Sequence, residues 1–224
     1  MGASMHVEPD PRQVFVVHGR DTAARGALFA FLRSIGLEPI EWAKAVQMSG
    51  EATPHIGTIL NTAFEAASAV VVLLTPDEIV HLRGELSGND EVDARPASQA
   101  RPNVLFEAGI AMGRDEKRTV LVELGKVRPF SDVAGRYIVR LDNSHEKRKE
   151  LAQRLETTGC SVDLSGQDWL SAGDFTMQVR QRKASPNRGE RLRKLRRHPW
   201  KAIVAGKHQV NLDSPGLAAA GAPD

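Results

Sequence analysis

Sulfur and aromatic side chains are scarce in this sequence. Of 224 residues one is a cysteine, Cys160, and aromatics make up 5%. A single thiol cannot close an intramolecular disulfide, which fits a reducing compartment. With no CxxC pair and no Cys/His cluster, no structural zinc site is expected and no other metal site is assigned. No apolar run approaches the roughly 18 residues needed to cross a bilayer. The opening MGASMHVEPDPRQ lacks the apolar core of a signal peptide, and its Met1-Gly2 start fails as an acylation motif because His6 stands where Ser or Thr is required. These absences predict a cytoplasmic protein with no membrane partner. GxGxxG and GxxxxGK[ST] are both missing, so neither standard phosphate loop is present. No Ser/His/Asp set is brought together by the order of elements, and Cys160 has no evident base partner.

What is present divides the chain in two. Apolar residues make up 41% of it, enough for a core built mostly of Val, Leu, Ile and Ala. The net charge of +2 conceals an asymmetry: residues 176–224 hold eleven Lys/Arg against three Asp/Glu, and the remainder nineteen against twenty-five. We therefore expect a flexible N-terminus over 1–12, one folded domain over 13–175 and a basic, partly disordered tail over 176–224. That tail, RKASPNRGERLRKLRRHPWK across residues 182–201 with similar residues before it, offers two readings. Residues 180–201 could hold nucleic acid or another acidic partner through salt-dependent contacts, or they form a solvated tail with no ligand. The tail is too short and too polar to build a cyclic-nucleotide sensor domain.

Within the domain, apolar β-branched runs alternate with helical spacing. VFVVH (14–18) is a buried strand ending at Gly19; Asp21 and Thr22 can cap a helix whose Ala24, Leu28, Phe31, Leu32 and Ile35 share a face. Residues 37–41 form a second short strand. The small, polar stretch 43–54 reads as a loop, 55–67 as a helix and AVVVLL (69–74) as the strongest strand, closed by Thr75-Pro76-Asp77. The charged, Gly/Pro-punctuated residues 81–100 read as a mobile loop. A helix over 103–113 follows, with Asn103 as its cap, then strands over 119–124 and 137–141 and a helix over 145–158. This alternation predicts an α/β, flavodoxin-like three-layer fold with a parallel sheet of about five strands.

In such a sheet ligands bind outside the carboxyl ends of the strands. The rule selects His18-Gly19-Arg20-Asp21, Thr75-Pro76-Asp77 and the start of the third long helix. Gly19 lets a ligand approach the backbone, and Arg20 suits a phosphate near a helix start; the competing reading is a helix-capping Asp21 and a solvated Arg20. Glu107 stands alone in the apolar VLFEAGIAMG, where a carboxylate either faces a cleft or pairs with Arg101 or Arg114. Gly109 and Gly113 weaken that helix, which suggests close approach by something else. Thr75 and Asp77 either line the crevice or form an ordinary turn. Trp42 either stacks on a base or anchors the core.

The segments VFVVHGRDTAAR, FLRSIGLEPIEW, AVVVLLTPDE and RPNVLFEAG, in that order, resemble the bacterial TIR-like family of predicted nucleotide-binding proteins, which includes effectors of CBASS- and Pycsar-type anti-phage systems. The resemblance runs from Val14 to Leu141, with AGDF at 172–175 as a further element. It implies cleavage of NAD⁺, as substrate rather than cofactor, to nicotinamide and an ADP-ribose product. The family's catalytic glutamate lies in N-V-x-x-E, here Asn103-Val104-Leu105-Phe106-Glu107. By the same resemblance Arg20 and Arg101 serve the pyrophosphate, Trp42 and residues 43–54 cover the base, and His18, Gly19, Asp21, Thr75, Asp77 and Asn103 line the substrate site. Members of this kind become active as homo-oligomers; the activating signal is not named by the sequence. Two departures stand out: residues 43–54 lack the basic residues with threonine expected before the second helix, and 81–100 is long and charged.

Overall fold

A computed structural model of the chain describes residues 9–86, 95–128 and 135–176. These belong to one compact unit, Met1–Met177; the second unit, Gln178–Asp224, and with it the expected basic tail, lies outside the described residues. The elements run β1 (Asp10–His18), α1 (Thr22–Ser34), β2 (Glu38–Ile40), α2 (Trp42–Met48), α3 (Ile56–Ala66), β3 (Ala67–Leu74), β4 (Glu78–Val80), β5 (Ala97–Gln99), α4 (Pro102–Arg114), β6 (Thr119–Leu124), β7 (Val139–Leu141) and α5 (His145–Thr157).

Five strands form one sheet in the order β2-β1-β3-β6-β7, every pairing parallel. This is the flavodoxin-like order, and the chain reverses its direction of winding between β1 and β3. The central β3 is buried at all eight positions, which is why its AVVVLL (69–74) reads as an unbroken apolar run instead of an alternation. Its side chains still alternate between faces. Ala69, Val71 and Leu73 join Val14 and Val16 beneath α1 and α5, while Val70, Val72 and Leu74 join Phe15 and Val17 beneath α3 and α4. Two cores thus lie on either side of one sheet, and the carboxyl ends of β1 and β3 open at the switch point between them.

Several local expectations need correction. The chain was expected to be flexible to residue 12, yet β1 begins at Asp10, whose carbonyl accepts the Ser68 hydroxyl at 2.9 Å. Part of the 43–54 stretch is helix, not loop: α2 forms without a side-chain cap because Ala45 is fully buried against the α3 face of the sheet. Residues 81–100 are not wholly loop either. Ala97–Gln99 pairs antiparallel with Glu78–Val80 as a separate two-stranded ribbon, and the intervening 87–94 lie outside the described residues. Asn103 does not cap α4. Arg101 holds the cap position without a side-chain bond, and Pro102 fills the first turn, where a missing N–H costs nothing.

Candidate functional site

The β1–α1 turn and the end of β3 are joined by one carboxylate. Asp77 accepts the Arg20 backbone N–H at 2.9 Å through Oδ2 and the Thr75 hydroxyl at 3.1 Å through Oδ1. Its own N–H donates to the Thr75 carbonyl at 2.8 Å, tightening the turn. Gly19 makes this possible: a Cβ there would overlap Asp77 Oδ2 and stand 2.8 Å from Asp77 Cγ. Asp21 caps α1, its Oδ1 accepting from Ala23 N and Ala24 N at 3.0 Å each. His18 lies edge-on to Phe29, ring centroids 6.4 Å apart, with Nδ1 2.9 Å from the Gly19 carbonyl oxygen. The Arg20 guanidinium is exposed and has no partner among the described residues.

Glu107 sits in the second turn of α4, flanking the buried stripe Val104, Ala108 and Ala111. The alternative of a structural ion pair is settled by its two neighbours. Arg101 pairs with Glu78 at 3.4 Å, and Arg114 reaches Asn61 and, at 3.5 Å, Glu65. Glu107 is left half-buried with no hydrogen bond or ion pair among the described residues. Burial pushes its carboxyl above the ordinary glutamate range, as expected where a low dielectric disfavours the charge and no cation offsets it. A carboxylate in that state gains most from a ligand that brings positive charge.

The other predicted residues occupy the surroundings. Thr75 is buried at the end of β3. Trp42 opens α2 directly after β2 and is 47% exposed, so it is not a core anchor. Asn103 is exposed at the second position of α4. Hydrogen bonds or contacts join Gly19, Arg20, Thr75 and Asp77 directly; among the described residues no hydrogen bond or ion pair joins Trp42, Arg101, Asn103 or Glu107 to that group. Phe106, 71% exposed, projects from the outer side of α4.

Two acids escaped sequence reasoning. Glu78 neutralises Arg101 and so changes what that guanidinium offers a ligand. Glu123, next to last in β6, lies in register with Leu74 and 3.9 Å from Arg140, and burial raises its carboxyl despite that cation and the Val127 N–H. The signal for Glu123 was available: TVLVEL holds a carboxylate in an apolar run just as VLFEAGIAMG does. Two clefts lie apart from these residues, one of about 160 Å³ lined by Lys117, Thr119, Tyr137 and Arg154 among others, and a shallower one of about 490 Å³ around Arg33, Pro39 and Lys44. Among the described residues no group of His, Cys, Asp and Glu could hold a metal ion, and no helix is long and apolar enough to cross a membrane.

Comparison with known proteins agrees with this fold. Residues 13–143 match the family described as the TIR domain of CAP12/Pycsar effector proteins. The chain is also similar to the uncharacterized protein YuaY of Escherichia coli (strain K12), 31% identical over 160 residues, which cover 69% of this chain and 48% of YuaY. The match thus spans about half the length of that curated relative.

Proposed function

From the premise that this chain belongs to the TIR domain family of CAP12/Pycsar effectors, we propose that it is an anti-phage effector that cleaves NAD⁺ between nicotinamide and ribose, with Glu107 as the catalytic carboxylate. The observation that carries the reading is the unpaired, half-buried Glu107 carboxylate, raised by burial, on the helix that follows the switch-point crevice. Breaking the glycosidic bond sends its electron pair onto the pyridinium nitrogen, so nicotinamide leaves neutral and needs no general acid. Positive charge passes to the ribose as an oxocarbenium-like cation, which water then traps with loss of a proton. A carboxylate held in a poorly solvating site stabilises positive charge developing on the ribose more than it stabilises the bound ground state, whose charge lies on the pyridinium ring, which is the differential effect catalysis requires. In this reading the Arg20 guanidinium meets the phosphates, Trp42 stacks on a base, and Thr75 and Asn103 line the path. Activity rises when copies assemble, the partner being a second copy of this chain and NAD⁺ the substrate.

The test is nicotinamide release from NAD⁺ by concentrated protein, beside Glu107→Ala and Glu107→Gln. Release by the unaltered chain that both substitutions lower by at least about 10²-fold supports the reading. Release that survives them removes Glu107 from the chemistry. No release at any concentration favours a second reading, a non-catalytic nucleotide-binding or scaffolding domain acting by self-association. The exposed Phe106 and Trp42 suit that role, because exposed aromatics are characteristic of docking surfaces.

A further inference from the structure

The β1–α1 turn was expected to receive a phosphate, as helix starts in α/β folds often do. Three of its donors are already committed. Arg20 N–H donates to Asp77, and Ala23 N–H and Ala24 N–H both donate to Asp21. The space directly above Gly19, which a glycine normally leaves free for a ligand, holds the Asp77 carboxylate. Two carboxylates therefore stand where an anion would otherwise find N–H groups and the positive end of a helix.

We propose that Asp77 is a specificity-determining residue that bars phosphate from the backbone of the β1–α1 turn, so that a nucleotide meets the turn with its hydroxyls and carries its phosphates outside, on the Arg20 guanidinium. The inference rests on the preceding reading only for the identity of the ligand; the exclusion itself follows from charge and space. Phosphate and Asp77 Oδ2 compete for one N–H and one volume, and two like charges at that separation repel. Hydroxyls do not compete. The outer lone pairs of Asp77 and Asp21 accept from a ribose diol without either carboxylate leaving its donors. The fixed hydrogen bonds also keep the carboxylate from swinging aside, since Thr75 and Arg20 hold one oxygen each.

Asp77→Asn removes the charge and keeps the shape. Its Oδ1 accepts from Arg20 N–H while its amide donates to the Thr75 hydroxyl, which can accept in turn. The probe is inorganic pyrophosphate, titrated calorimetrically at constant ionic strength into the full chain. Asp77→Asn is expected to bind pyrophosphate about tenfold more tightly than the unaltered chain, the order expected for lifting one like charge at contact range near a surface. The gain persists in an Arg20→Ala background, because it comes from lifting the Asp77 charge beside the turn and not from the guanidinium. Asp77→Ser serves the same comparison if the amide disturbs the turn, which a thermal melt detects. A gain below threefold overturns the proposal, as does a gain that disappears in the Arg20→Ala background. Nicotinamide release plays no part in this measurement, so the glycohydrolase reading can fail while the exclusion of phosphate stands.

Discussion

The protonation of Glu107 links function to stability at a single residue. Burial raises its pKa in the folded chain, so between the ordinary glutamate value and the raised one the folded state binds more protons than the unfolded state. Stability therefore falls as pH rises through that window and levels off above it. Glu107→Gln removes the desolvated charge and keeps the shape. At neutral pH the variant is expected to melt at the same temperature or about 1–2 °C higher, and the difference should vanish at pH 4. Paired melts at the two pH values check this. A Glu107→Gln chain that melts lower at pH 7 would mean the carboxylate has a stabilising partner that the geometry lacks. The same shift predicts that nicotinamide release, where it occurs, rises with pH through an inflection above 4.5, the ordinary glutamate value.

At the scale of elements, α4 carries two glycines that no packing among the described residues requires. A Cβ on Gly109 or Gly113 would meet nothing within 4 Å, and both positions face outward beside Phe106. Each Gly→Ala change is expected to stabilise the domain by about 0.5–1 kcal/mol, read from urea unfolding. If assembly brings another copy close to this face, the same variants lose activity while gaining stability; unchanged activity places the assembly surface elsewhere. The elements that sequence alone delivered were those with strong signals. β3 is apolar from Ala69 to Leu74, α1 has Asp21 as cap and a helical stripe, and α5 keeps Leu151 and Leu155 on one face. α2 was missed because its seven residues have no capping side chain and only Ala45 is buried, so tertiary contact decides it. The ribbon of β4 and β5 was illegible for a related reason. Three-residue strands separated by a long insertion leave no periodicity to read. At the site, Glu107 stood out as a lone charge in an apolar run, whereas Asp77 looked like an ordinary turn residue until its contact with Gly19 was visible.

For the molecule as a whole, the folded unit extends past the span shared with the family, and one buried cation ties that extension down. The family match ends at residue 143, yet α5 completes the core on one face of the sheet, and residues 167–176 wrap back over α1. Arg148 on α5 is 2% exposed. It donates to the carbonyls of Gly173 at 2.7 Å and Trp169 at 3.4 Å, to that of Ala172, and to Asn143 Oδ1 at 3.2 Å. Its guanidinium also lies over the rings of Phe31 and Phe175. Gly173 has φ +74°, and a Cβ there would overlap the Ala27 carbonyl oxygen. Asn143 Oδ1 accepts Phe175 N–H at 2.8 Å, and its amide, with Thr176, holds the Asp174 carboxyl down at about 2. A strap fastened this way stabilises the domain only if its donors stay matched to its carbonyls. Arg148→Met fills similar volume but buries no charge and orphans three partly buried carbonyls, for an expected loss of about 3 kcal/mol. Gly173→Ala forces a left-handed backbone and a clash, for a loss of at least about 2 kcal/mol. Because both act on the same strap, the double variant should cost less than the two single losses added together. Urea unfolding of the four chains measures that coupling. Strict additivity would mean Arg148 and Gly173 support separate parts of the fold, and the strap would then not be a single fastening.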